Sequence, residues 1–356
     1  MAAVRPRDLL SDSLLERLGG TSWHVGGLAG NGQAAPAGGD VAATLIRDIA
    51  KLGEAGYLKV ALPPEFGGLG CTLRQAACGQ RRLARHAPLT ALAVSAHLYW
   101  TGAAADAYRS GDSSVRWILL EAARGALFAA GHAAAPAPDG PAALAALAAA
   151  GGDLRFADPR SRCEPAGESG YRFRSPEVLS SLTPAWDWVA VHAVHSARPG
   201  SAGPDAVLAF AGRGSRCTPA FRVARVQPPG APGDVFATSA IGWGHSILAS
   251  VQYSDARRAF NAAVAAAAAP HRAPGGPGAH PLDRWPVAEA GLRLDAMKAK
   301  IAEITHPWPL VPGQAPDLAG QRLIGIFTMR HEVAEGAARV LDLVSQIASV
   351  PAIATR

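Results

Sequence analysis

Charge is scarce in this chain. Only 17% of its 356 residues are Asp, Glu, Lys or Arg, and base exceeds acid by +6. The basic residues are almost all arginine, standing singly or in pairs such as those at 81 and 257. They form no stripe with interleaved aromatics, so the footprint of a nucleic-acid-binding face is missing. Cysteine is equally thin: the four, at 71, 78, 163 and 217, make neither a CxxC pair nor a dense framework. That leaves no metal-ligand set and no disulfide scaffold, and fits a reduced chain. No run reaches the roughly 20 apolar residues of a membrane span. The opening MAAVRPRDLLSD holds no apolar core of a secretory signal. The expectation is a cytoplasmic protein that binds neither nucleic acid nor membrane.

What is plentiful is alanine, in runs such as AAVAAAAAP and LAALAAAGG. Alanine-rich helices approach closely but bury little area per residue, so they depend on many close contacts. The length allows two or three domains.

In residues 40–57, Val41, Leu45, Ile46, Ile49 and Leu52 fall at helical spacing, and Gly53 and Gly56 stand where a helix would stop. Then comes GYLKVALPPEFGGLG at 56–70, where Pro63 and Pro64 forbid more helix and Gly67, Gly68 and Gly70 permit a compact reversal. No strand precedes it and it lacks the G-x-G-x-x-G spacing, so it reads as architecture and not as a phosphate cradle. Helical pattern runs from about 72 to 125, broken near RSGDSS.

From about 126 the segments shorten and partly alternate: GALFAAGHAAA, GYRFRSPEVLSSL, WDWVAVHAVHS, PDAVLAFAG and ILASVQYSD read as strands. Helix is expected again after Asp255, with a Pro/Gly-rich break at 270–281. In the last helix Leu323, Ile326, Val333, Ala337, Val340, Leu341 and Val344 form an apolar stripe. The expected fold is α+β and multidomain: an N-terminal helical domain (1–125), a middle β-barrel-like domain (126–255) and a shortened C-terminal helical bundle (256–356).

This order of segments, with GYLKVALPPEFGGLG at its head and SLTPAWDW in its middle, resembles the acyl-CoA dehydrogenase family over roughly residues 20–350. The resemblance implies an FAD-dependent oxidoreductase acting on an acyl-CoA-like thioester or related small molecule, as a homo- or hetero-oligomer. It puts Phe128 on the strand leading into the flavin site as an aromatic wall, and Gly131 and His132 at the family's Thr-Glu positions. Ala137 falls near a substrate-contacting Ser. Leu179 takes the place of a flavin-stacking aromatic, and Ser181 that of the hydroxyl near flavin N5. His132 either donates to a flavin or product oxygen or is a strand-end histidine with a water partner. Trp186 and Trp188 read as packing of the β core.

In the segment DVFATSAIGWGHSILASVQYSDARR, Ser239, Ile241, Trp243 and His245 replace the family's Arg, Thr, Ser and Asp. The long helix that follows the β domain in the family is expected to be short here. Dehydrogenation of a thioester needs a carboxylate base. Glu289, Glu303, Glu332 and Glu335 match no such motif and read as solvated helix residues, so no catalytic base is assigned. Three activities remain open: an acyl-CoA dehydrogenase-like oxidoreductase, a flavin-dependent monooxygenase in which His132 or His245 assists proton transfer, and a non-catalytic subunit of a mixed complex.

Overall fold

Alanine and glycine allow one helix to be surrounded on all sides, and the fold is built around that helix. The computed structural model describes residues 5–19, 38–133, 162–166, 170–174, 178–180, 185–195, 205–213, 221–227, 235–268, 285–306 and 316–353. Two short helices, α1 (Pro6–Leu9) and α2 (Asp12–Arg17), precede α3 (Gly38–Glu54), α4 (Leu73–His86), α5 (Pro88–Arg109) and α6 (Arg116–Ala123). On α3, Val41, Leu45, Ile49 and Leu52 are buried, while Ile46, expected among them, points to solvent. A capping box starts α4: Thr72 Oγ1 accepts from the Gln75 N–H, and the Gln75 side chain accepts from the Thr72 N–H. Pro88 opens α5 at the one helical position where its missing N–H costs nothing.

Between α3 and α4 the glycine-rich stretch folds back on itself. The Gly70 N–H donates to the Leu62 carbonyl (2.8 Å) and the Cys71 N–H to that of Val60 (2.9 Å). Gly68 lies so close to the Leu62 and Lys59 carbonyl oxygens that any Cβ would overlap them.

Seven strands follow: β1 (Phe128–Ala133), β2 (Arg162–Ala166), β3 (Gly170–Arg174), β4 (Val178–Ser180), β5 (Trp188–His195), β6 (Asp205–Gly212) and β7 (Phe221–Gln227). One edge of β5 carries β1 and then β2, both parallel to it, and its other edge pairs antiparallel with β6. Antiparallel pairs β2–β3, β1–β4 and β6–β7 complete the sheet.

Three long helices end the chain: α7 (Val235–Ala268), α8 (Trp285–Ile304) and α9 (Pro316–Ile353). Helix α7 overturns two expectations. ILASVQYSD is not a strand but lies within it, and its 34 residues reach about 50 Å, so the helix after the sheet is not short. The long alanine-rich run at 134–161 and the Pro/Gly-rich break lie outside the described residues. On α9 the interior face is Ile326, Met329, Val333, Ala337, Val340, Leu343 and Ile347; Leu341 and Val344 are only half-buried. From Met329 to Leu343 this face packs with Leu294, Met297 and Ile301 of α8 and Tyr253 of α7 in a second core, while Ile326 joins the main one.

The layers meet at α5, buried from Pro88 through Ala107. Toward α4, Gln80 Nε2 donates to the Ala91 carbonyl (2.9 Å) and to Ser95 Oγ (3.1 Å), and its Oε1 accepts from the Tyr57 hydroxyl (3.0 Å). Toward α7, Trp243 lies against Gly102, and its indole N–H donates to Asp106 Oδ2 (2.7 Å). Toward the turn and the sheet, the Phe128 N–H donates to His97 Nδ1 (3.3 Å). The ring's proton is therefore on Nε2, which donates to the Leu58 carbonyl (2.8 Å). Burial pushes this imidazole down to about 4, against the opposing pull of the Leu58 carbonyl and of Asp187.

Two outcomes follow from these contacts. A Cβ at Gly102 would overlap the Trp243 ring, so Gly102→Ala should cost about 3 kcal/mol. In a Trp243→Phe background the same change should cost less, because the smaller ring yields; urea melts of the four-variant cycle would measure the coupling. His97 binds its proton more weakly folded than unfolded, so its contribution is complete above pH 6.5 and is lost as pH falls toward 4, by about 3 kcal/mol. His97→Gln should be less stable at neutral pH and should flatten stability against pH across that window. An unchanged slope would refute this.

Candidate functional site

The residues expected to hold a ligand lie on β1 and β4. The antiparallel register sets Gly131 opposite Ser180, His132 opposite Leu179 and Ala133 opposite Val178. Strand pairing therefore brings Gly131, His132 and Leu179, nearly fifty residues apart in sequence, onto adjacent rungs. Ser181 follows directly on Ser180 but lies outside the described residues, as does Ala137.

Phe128 does not share this position. Its ring is fully buried, packed against Phe210 (5.6 Å), Trp117 (6.0 Å) and His97 (6.2 Å). The expected aromatic wall is therefore an interior residue: α6 lays Trp117 over the start of β1 and closes it off. Trp188 also meets Trp117 edge-on (5.3 Å), while Trp186 is half-buried beneath the Arg213 guanidinium (5.1 Å).

The segment containing Ser239, Trp243 and His245 lies on helix α7. Ser239, Ser246, Ser250 and Ser254 are buried there, and none of their hydroxyls has a hydrogen-bond partner among the described residues. The Tyr99 hydroxyl on α5 is likewise buried and unpartnered, which pushes its pKa well above the usual phenol value. Each such hydroxyl costs about 1–3 kcal/mol relative to a bonded one, so α7 carries polar groups that its packing alone does not explain. Sequence reading missed this row. The signal was the four-residue step from Ser246 to Ser250 to Ser254, visible only once the segment is taken as helix.

Where α7 meets α9, His245 lies edge-on to Phe327 (5.2 Å), and Arg330 donates to the Gln252 side-chain oxygen. Burial pushes the Arg330 guanidinium down to about 10, so it stays charged at neutral pH. His245 is thus interior rather than open to solvent.

The four glutamates of the C-terminal helices lie elsewhere. Glu289 is gripped by Arg339 of α9 (3.0 and 3.2 Å) and by Arg293 (3.1 Å), whose hydrogen bonds hold its carboxyl below the usual range. Glu303 pairs with Lys300 and Glu335 with His331, and Glu332 is exposed. Among the described residues no group of three or more His, Cys, Asp or Glu could hold a metal, and no helix is long and apolar enough to cross a membrane.

No protein-family model matches the chain, and no curated protein does. Solved structures do. A nitrososynthase from Micromonospora carbonacea var. africana superposes with a TM-score of 0.67 at 18% identity, over 96% of this chain and 85% of that one. The dibenzothiophene monooxygenase TdsC from Paenibacillus sp. A11-2 gives 0.63 at 16% identity, over 87% and 82%; it has also been solved with FMN and indole. XiaF from Streptomyces sp., solved with FADH2 and glycerol, gives 0.53 at 15% identity, over 85% and 77%. At such identities the agreement is one of architecture: helices, mixed sheet and three-helix C-terminal layer together make the acyl-CoA dehydrogenase-like fold.

Proposed function

We propose that this protein is a flavin-dependent oxidoreductase, and that its reaction is monooxygenation of a small molecule and not dehydrogenation of an acyl thioester. The observation that carries this reading is the company the fold keeps: over most of its length the chain superposes on a nitrososynthase, a dibenzothiophene monooxygenase solved with FMN, and a protein solved with FADH2. The positions of the four glutamates support the choice of reaction. Thioester dehydrogenation needs a carboxylate at the substrate, and these are tied to arginines, paired at the surface or solvated.

Support comes from residue type at the positions the family resemblance assigns: an imidazole at His132, next to Gly131 and opposite Leu179, and a hydroxyl at Ser181 would supply donors of the kind a flavin pyrimidine edge and N5 require. A bound reduced flavin supplies two electrons to dioxygen, one atom of which enters the substrate while the other leaves as water. In this reading Gly131 and Leu179 orient the ring, Ser181 donates near N5, and His132 donates to a ligand oxygen.

The protein is further proposed to be an oligomer. Its C-terminal helices expose Trp285 (68%), Leu292 (72%), Ile324 (68%) and Phe327 (49%), apolar side chains suited to cover by another helical surface.

Titration of the purified chain with FMN and with FAD, followed by flavin fluorescence quenching, should give saturable binding of one or both. Ser181→Ala and His132→Ala should each weaken it about tenfold. A chain that binds neither flavin would overturn the reading and favour a non-catalytic subunit. In sedimentation, the double change Leu292→Asp and Phe327→Asp should lower the mass from oligomer toward monomer; a monomeric parent protein would refute the assembly.

A further inference from the structure

At the other end of β1 from Gly131–Ala133, tryptophan and arginine gather on the surface. Trp188, first residue of β5, pairs with Phe128, first residue of β1. Trp117 of α6 meets it at 65°. Both indoles are half-buried, with inner edges against the core and the rest at the surface. Arg222 stands on β7, opposite Phe210 of β6. It is exposed, and its guanidinium lies 5.0 Å from the centre of the Trp117 ring and 5.3 Å from that of Trp188. Among the described residues the Arg222 side chain has no hydrogen-bond or ion-pair partner. Asp187, the acid beside Trp188, uses a carboxylate oxygen to accept from the Leu127 N–H and its backbone carbonyl to accept from the Arg213 N–H.

A guanidinium carries five N–H donors in a planar fork. Cation–π attraction to two rings holds the guanidinium in place without using its N–H donors, which no described side chain or carbonyl takes. It also restricts rotamer freedom that an ordinary surface arginine would lose only on binding. The positive charge is thus held in place, and its donors match the two oxygens of a carboxylate or phosphate.

We propose that Arg222, held in the notch between Trp117 and Trp188, is a receptor for an oxyanion, a carboxylate or phosphate group on a small-molecule ligand. The site is separate from the β1–β4 pair and does not depend on flavin binding. Arg213, over the ring of Trp186 and tied through its backbone N–H to the Asp187 carbonyl, is not the receptor.

The test uses the full chain without flavin at constant ionic strength, with sodium chloride as the reference salt. Tryptophan fluorescence is followed during titration with inorganic phosphate, phenyl phosphate and benzoate. Saturable binding of at least one probe is expected, weakened at least tenfold by Arg222→Ala and about fivefold by Arg222→Lys, which keeps the charge and loses the fork. Arg213→Ala should leave the affinity within about twofold. Binding of both phosphates but not benzoate would identify the ligand group as phosphate, and binding of benzoate alone as carboxylate. No saturable response in the parent chain would overturn the proposal. So would equal affinity in the Arg222→Ala protein, or a larger loss from Arg213→Ala than from Arg222→Ala. Because Arg222 is exposed, its variants should melt as the parent does; a changed melt would be controlled by the Lys variant, which keeps the aliphatic stem and the charge.

Discussion

Helix α5 has no solvent face from Pro88 to Ala107, and that burial governs the arrangement around it. A buried polar group must be paired or the fold loses roughly the full cost of desolvating it. Four polar side chains of α5 act in this way as fixed addresses for its neighbours. The Thr90 hydroxyl donates to Asp48 of α3 (2.8 Å), Ser95 accepts from Gln80 of α4, His97 joins the glycine-rich turn to β1, and Asp106 accepts from Trp243 of α7. Gly102 lets α7 approach closely enough for that last bond to form.

His97 links this scaffold to the candidate site. Its two hydrogen bonds attach the Leu58 carbonyl and the Phe128 N–H to one rigid ring, so the turn and the first residue of β1 hold a common position. Three residues further along, the same strand carries Gly131 and its pairing with β4. The glycine-rich stretch thus bears on the candidate site indirectly, through the imidazole. Fold alone does not choose a reaction.

Much of the framework was legible in the residues. Helix α3 follows from its apolar spacing, the compact turn from two prolines and its glycines, and β5 and β6 from short apolar segments bounded by turn residues. The missed features share a cause. A helix buried on all sides shows no 3.6-residue contrast, so the Ser-, Val- and Ile-containing part of α7 reads as strand. On α9 the stripe shifts from Leu341 to Leu343 because the helix must face both α7 and α8.

By itself the sequence determined which segments can be helix, turn or strand, since spacing, proline and glycine act over a few residues. Tertiary structure alone decided which side chains meet. Phe128 became core because α6 lays Trp117 over it, a contact between residues that no local pattern connects. His132 and Leu179 became neighbours through strand register, and Arg222 reached two indoles through the order of three strands and one helix. Such meetings depend on long-range packing and on the pairing of buried polar groups, and those are properties of the folded chain.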